Sequence, residues 1–239
     1  MTRFISEIKA ILKPYKWLHH MLSNKKIIAD ELWSSRLSFS QFGEDLILDA
    51  LFEMRGIKSG SYIEIGAFDP IIMSNSYFFY KKGWRGICIE PNPLSFQKIC
   101  KRRPADTNLN VAVSNREGEV SFVCDEAKSG IFDQNYLFPK QDQKVITVPA
   151  VKLGNILEKH LDSRHQVAFM SVDCEGHDME VLASNDWTKF RPLVVLVEDH
   201  SEGKNNLINE FLSDKDYRFY SRSAVTAFYT EKSFWMPCA

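Results

Sequence analysis

SYIEIGAFDP (61–70) and GWRGICIEPNP (83–93) decide the reading of this chain. Ser61–Ile65 is a short run of β-branched and aromatic residues interrupted by Glu64, and Gly66 follows where a strand should end. A helical stretch, Ser74–Lys82, comes next. A second apolar run, Gly86–Ile89, is closed by Glu90. The pattern is strand, loop, helix, strand, with a carboxylate at the tip of the second strand. In an open parallel sheet, ligands bind in the crevice beyond the strands' carboxyl ends. Glycine there lets backbone approach a ligand closely, and an acid one strand later can grip two ribose hydroxyls. A nucleoside-containing cofactor is expected.

The loop narrows the choice. A dinucleotide site usually carries G-x-G-x-x-G, which seats a pyrophosphate on a helix N-terminus. Here Gly66-Ala67-Phe68-Asp69-Pro70 has one glycine, a bulky ring and an acid that would repel a pyrophosphate. A nucleoside with a cationic or zwitterionic tail suits it better, and S-adenosylmethionine (SAM) fits that description. Any α/β domain has a glycine after some strand, so Gly66 alone decides nothing. The pairing of Glu64 and Gly66 with Glu90-Pro91-Asn92 carries the inference.

The 239 residues fit one α/β domain with an extension. A hydrophobic content of 44% allows a sizeable core. The net charge of −1 argues against a general nucleic-acid binder, which needs a basic surplus. Five scattered cysteines with no C-x-x-C pair suggest a reduced, cytoplasmic compartment. No apolar run approaches membrane-spanning length, and no cleavable signal pattern is read at the start.

Residues 1–39 read as an N-terminal helical extension and 40–239 as the catalytic-type domain. Phe4, Ile8, Ile11, Tyr15 and Leu18 recur at helical spacing, with Arg3, Lys9, Lys13 and Lys16 opposite. The preferred reading is a helix covering apolar surface of its own domain; the second is peripheral membrane contact through residues 1–22. A homodimer is left open.

Ser40 is placed to cap a helix through Leu46–Phe52, with Gln41 and Asp45 one turn apart and able to face the cofactor's amino-acid end or the substrate. Ser74 or Asn75 is placed as a cap whose neighbouring amides meet a carboxylate. The cations Lys98–Arg103 read as a solvated helix face. Leu109–Val113 reads as the third strand, with Asn110 and Ala112 lining an adenine pocket. Gly118–Cys124 and Lys144–Val151 alternate as strands, and the intervening 125–143 reads as a substrate-facing loop. Val167–Val172 ends in Asp173-Cys174-Glu175-Gly176-His177-Asp178, and Leu193–Val197 ends in Glu198-Asp199-His200, so acids gather at one rim. Asp216–Ser221 and Ala224–Thr230 read as a closing antiparallel pair.

SQFGEDLIL (40–48), YIEIGAFDP (62–70), SNSYFFYKKGWRGICIEPNP (74–93), NVAVS (110–114), VDCEGHDMEVL (172–182) and PLVVLVEDH (192–200) together resemble FkbM-type SAM-dependent methyltransferases. The resemblance implies the class I (Rossmann-like) methyltransferase fold, a seven-stranded sheet of order 3-2-1-4-5-7-6 with strand 7 antiparallel. It also implies O-methylation of a hydroxyl on a small molecule or glycan, of the sugar or polyketide type.

The expected cofactor residues are Gln41, Glu64, Gly66, Ala67, Ser74, Asn75, Glu90, Asn92, Ala112 and Asp173. Asp173 or His177 is the expected base, with Glu175 orienting the acceptor. A second version has Asp173, Glu198 and Asp199 or His200 hold a divalent cation. The metal-free version is preferred, because acids near a strand end can simply cap helices. Rival classes are a non-catalytic or membrane-associated module that keeps the fold, and a nicotinamide-dependent oxidoreductase.

Overall fold

The computed structural model describes residues 34–125, 129–132, 144–161, 166–199 and 206–235. The chain divides into two units, Met1–Leu37 and Ser38–Ala239, and the second is described below. The amphipathic segment 1–22, most of the 125–143 loop and His200 lie outside the described residues.

In chain order, helix α1 (Glu44–Met54) precedes β1 (Ser61–Ile65), a five-residue α2 (Tyr77–Lys81), β2 (Arg85–Ile89), α3 (Pro93–Arg102) and β3 (Thr107–Leu109). Then come four strands of a second sheet, β4 (Ala112–Val113), β5 (Gly118–Cys124), β6 (Gly130–Ile131) and β7 (Lys144–Val151). The chain returns through α4 (Leu153–His160), β8 (Val167–Val172), α5 (Asp178–Ala183), β9 (Val194–Glu198), α6 (Asn206–Ser213), β10 (Tyr217–Ser223) and β11 (Thr226–Glu231), and a 3-10 turn follows at Lys232–Trp235.

The main sheet has seven strands in the order β3-β2-β1-β8-β9-β11-β10. Numbered along the chain this is not the 3-2-1-4-5-7-6 string, because the labels of the second sheet fall between β3 and β8. Strand β11 runs antiparallel to both its neighbours, β9 and β10. The joins β1–β2, β1–β8, β8–β9 and β2–β3 are parallel. Parallel strands covered on both faces should be continuously apolar, and all of β1 and β8 is buried.

Side chains alternate across the sheet, which splits the core in two. Ile63 and Ile65 join Ile87, Met170, Val195 and Leu157 on one face. Tyr62 joins Phe52, Phe79, Trp84, Ile99 and Phe169 on the other. Glu64 shares the parity of Tyr62, so its side chain enters this second face rather than the crevice at the strand tips.

The single strand expected over Leu109–Val113 is two. β3 ends at Leu109, and Asn110 Nδ2 donates to the carbonyls of Glu90 (2.8 Å) and Pro91 (2.9 Å). The chain then leaves the main sheet, and β4 pairs with β7. Strands β5 and β7 occur where the alternation placed them, within the second sheet, pairing antiparallel.

Candidate cofactor cleft

Strand β1 stops at Gly66 because the backbone turns there. Gly66 has φ +78°, and a Cβ on it would lie 1.8 Å from the Asp173 carbonyl oxygen. Its amide and that of Ala67 donate to the Ile89 carbonyl at 3.0 and 3.2 Å, and the Asp173 amide donates to the Ile65 carbonyl at 3.1 Å. The tips of β1, β2 and β8 are thereby drawn together, and only glycine fits between them.

A cleft of about 730 Å³, counting its open mouth, lies beyond these tips. Gly66, Glu90, Asp173 and Glu175 line it from the main sheet, and Ala112, Val113, Phe122 and Ile131 from the second sheet. The lining residues Phe68, Met73 and Glu175 have φ of +41°, +60° and +51°. Left-handed backbone is strained for side chains of this kind.

Glu90 is 4% exposed. One carboxylate oxygen accepts the Phe68 amide and the other the Asn92 amide, each at 2.7 Å. A carboxylate offers about four lone-pair sites, so acceptor capacity remains on both oxygens. Burial pushes Glu90 up to about 7 against the pull of those two amides. An anion with two spare acceptor sites in a half-apolar cleft suits a vicinal diol, so the residues present fit the ribose of SAM.

Asp173, Glu175 and Glu198 converge at the rim, with one carboxylate oxygen from each lying within 4.8 Å of the others. Burial, followed by the charges of Asp173 and Glu175, raises Glu198 to about 9. Asp178 accepts the amides of Cys174 (2.9 Å) and Gly176 (3.2 Å), fixing the turn that carries two of these acids. Burial raises Asp178 to about 7. Asp199 is not in the group: its carboxylate pairs with Arg222. Glu175 takes the place expected for Asp199 in an oxygen-ligand set.

Of the expected cofactor residues, Gly66, Glu90, Ala112 and Asp173 line the cleft, and Glu175 of the expected catalytic group does so too. Glu64 does not. Its carboxylate accepts from Ser74 Oγ, Ser76 Oγ and the amides of Asn75 and Ser76, and it pairs with Arg103 at 2.9 Å. The amides expected to meet a cofactor carboxylate are therefore spent on Glu64. Ser74 and Ser76 are buried within the same network, and Asn75 Nδ2 donates to Ser171 Oγ. Arg103 itself, expected on a solvated face, is fully buried: it also bonds Asp106 and Tyr62 and lies over the Tyr62 ring. Ala67 is buried beside the cleft, and Asn92 caps α3 by accepting the Leu94 amide.

Ser40 is not the cap of α1, whose N-cap is Gly43. Gln41 is exposed, and Asp45 binds Ser38, Phe39 and Ser40 rather than facing the cleft. His177 is not among the lining residues; its Nε2 lies 3.0 Å from Ser114 Oγ. Gly130 and Ile131 of the wall fall within the loop 125–143 expected to face the substrate, whereas Phe122 was missed. The signal for Phe122 was alternation in β5, which tells that a strand exists but not what it faces.

The Methyltransferase FkbM domain matches residues 64–219, more than half of the chain. Among solved structures, the METTL16 MTase domain is 10% identical over 77% of this chain, with a TM-score of 0.45, and this chain spans 64% of that one. A TehB-like SAM-dependent methyltransferase from Corynebacterium glutamicum ATCC 13032 is 10% identical, covering 93% of this chain and 99% of that one, with a TM-score of 0.40. Precorrin-6y C5,15-methyltransferase from Geobacter metallireducens GS-15 is 13% identical, covering 79% and 88%, with a TM-score of 0.43. At these scores the three decide nothing further about this chain. No curated protein matches it. The family match, spanning the strand tips that form the cleft, places this chain in the FkbM methyltransferase domain family.

Proposed function

We propose that this methyltransferase moves the methyl group of SAM to a hydroxyl of a small molecule or glycan, of the sugar or polyketide type. The observation that carries the cofactor half is Glu90, a buried carboxylate with acceptor capacity left on both oxygens at the tip of β2. The acceptor half is supported by the acids at the rim.

SAM supplies an electrophilic methyl group on a positively charged sulfur. Glu90 would hold the ribose diol, Gly66 would allow backbone to approach, and the apolar wall of Ala112, Val113 and Phe122 would cover the adenine. A hydroxyl is a poor nucleophile while protonated. With SAM bound, the carboxylate group of Asp173, Glu175 and Glu198 would accept the proton that the acceptor hydroxyl gives up on methylation. Three carboxylates this close share protons rather than ionising independently, and an ionised member takes the proton. His177 is not among the residues lining the cleft and is set against Ser114, so the base role is assigned to the acids. Much of the rate comes from aligning oxygen, methyl and sulfur.

A second reading uses the same three acids as oxygen ligands for Mg²⁺ or Mn²⁺, which would lower the hydroxyl's pKa. Calorimetric titration with S-adenosylhomocysteine (SAH), with and without Mg²⁺, tests both readings. Binding independent of metal supports the metal-free one. Binding in neither condition removes the cofactor assignment and favours a non-catalytic module. NADH in place of SAH tests the oxidoreductase reading, and no binding is expected. Glu90→Ala is expected to weaken SAH binding at least tenfold, as lost hydrogen bonds to a charged group do; unchanged affinity overturns its role.

A further inference from the structure

The two walls of the cleft belong to different sheets, and one side-chain pair joins them at their ends. Ala112 and Val113 of β4 line one wall, and Ser114 follows them directly. Ser114 is 3% exposed, and its amide donates to the Val151 carbonyl at 3.2 Å, fixing it to the end of β7. Cys174 and Glu175 line the other wall, and His177 comes two residues after Glu175. The His177 amide donates to the Cys174 carbonyl at 3.2 Å and its carbonyl accepts the Val181 amide at 3.2 Å. The His177 main chain is therefore tied to the acid-bearing turn and the start of α5.

His177 Nε2 and Ser114 Oγ lie 3.0 Å apart, across 63 residues of sequence. Ser114 Oγ also accepts the Arg116 amide at 3.4 Å. The hydroxyl keeps a second lone pair as well as its hydrogen, so the bond to Nε2 fits either tautomer of the ring. Nδ1 faces the Glu180 carboxylate at 3.8 Å, which favours a proton on that nitrogen. Neither Ser114 nor His177 lines the cleft.

We propose that Ser114 and His177 form a latch that holds the second sheet's wall against the acid-bearing turn and sets the width of the cofactor cleft. Both are positioning residues. The latch acts through Val113 and Ala112 on one side and Glu175 and Cys174 on the other. The inference rests on reading the cleft as the SAM site, and it gives His177 a role other than that of a base.

The test is calorimetric titration of the full chain with SAH, for wild type, Ser114→Ala, His177→Asn and the double variant, with Ser114→Thr as the rescue. Losing one hydrogen bond is expected to weaken SAH binding about three- to tenfold in each single variant. The double variant should be no weaker than the weaker single, because either change opens the same latch. Ser114→Thr keeps the hydroxyl and should restore affinity to within about twofold of wild type. Melting without SAH monitors the fold, and His177→Gln replaces His177→Asn if the latter does not fold. A single variant binding SAH like wild type, or two effects that multiply in the double variant, overturns the latch and leaves the cofactor reading standing. Wild type failing to bind SAH removes the cofactor reading and the latch with it.

Discussion

Glu90 couples the cleft to pH. Its ordinary value near 4.5 is raised to about 7 by burial. Only the ionised form offers full acceptor capacity to a diol, so SAH affinity is expected to rise as pH increases from about 6 to about 8. Binding in that window should release protons, measurable by calorimetry in two buffers of different ionisation enthalpy. Glu90→Gln should flatten the profile; an unchanged profile would assign the titration to another acid. Gly66→Ala should destabilise the fold by on the order of 4 kcal/mol or more, seen as a lowered urea midpoint, because its methyl group has no room beside Asp173. Gly66 and Glu90 were legible because a strand's end can be read from where its apolar run stops. Glu64 was misplaced as a cofactor residue, although its parity with Tyr62 was readable: its partner Arg103 lies 39 residues on, in a run of cations that looks solvated.

At the scale of elements, α3 is tied to β1, β2 and the residues before α2 by the Arg103 cluster, which includes Glu64, Asp106 and Ser76. Removing one partner of a buried ion pair leaves the other uncompensated, typically at a cost of ~3–5 kcal/mol. Arg103→Met is therefore expected to lower thermal stability sharply, a large part of the ~5–15 kcal/mol holding an ordinary domain. A melting temperature within about 2 °C of wild type would show the cluster to be dispensable. The buried parallel strands β1, β2, β8 and β9 were readable as largely apolar runs, whereas β3, polar and half-buried, was displaced toward Val113. In the second sheet β5 and β7 were readable by alternation, but β4 and β6 were not, because they are two residues each and carry no period of their own. They are strands only through pairing with β7 and β5, which no local pattern encodes.

Across the described residues of the molecule, three acids, Glu90 and Asp178 buried and Glu198 partly so, keep protons that the unfolded chain would lose. Glu90 and Asp178 stand at about 7 and Glu198 at about 9, each raised chiefly by burial. A raised folded value favours the fold below the unfolded value and loses that contribution as pH climbs through the folded one. The protein without cofactor should therefore melt at lower temperature at pH 9 than at pH 6.5, and the rise in melting temperature produced by SAH should be larger at pH 8 than at pH 6. No helix among the described residues is long and apolar enough to cross a membrane. Residues 1–22 remain the one stretch whose sequence suits a lipid surface. In a flotation assay with anionic liposomes the full chain is expected to stay at the bottom of the gradient; flotation lost on removing residues 1–22 would establish the membrane reading.

Phe68, Met73 and Glu175, the three non-glycine lining residues held at positive φ, bear on how this protein can change. A selection for heat resistance alone should find glycine or asparagine at these positions early, because both residues tolerate left-handed backbone. Those replacements would also erase side chains that shape the cleft. Thermal tolerance and cofactor affinity should then move in opposite directions at these positions and independently elsewhere, so a comparison of hardened variants would outline the site without any ligand bound.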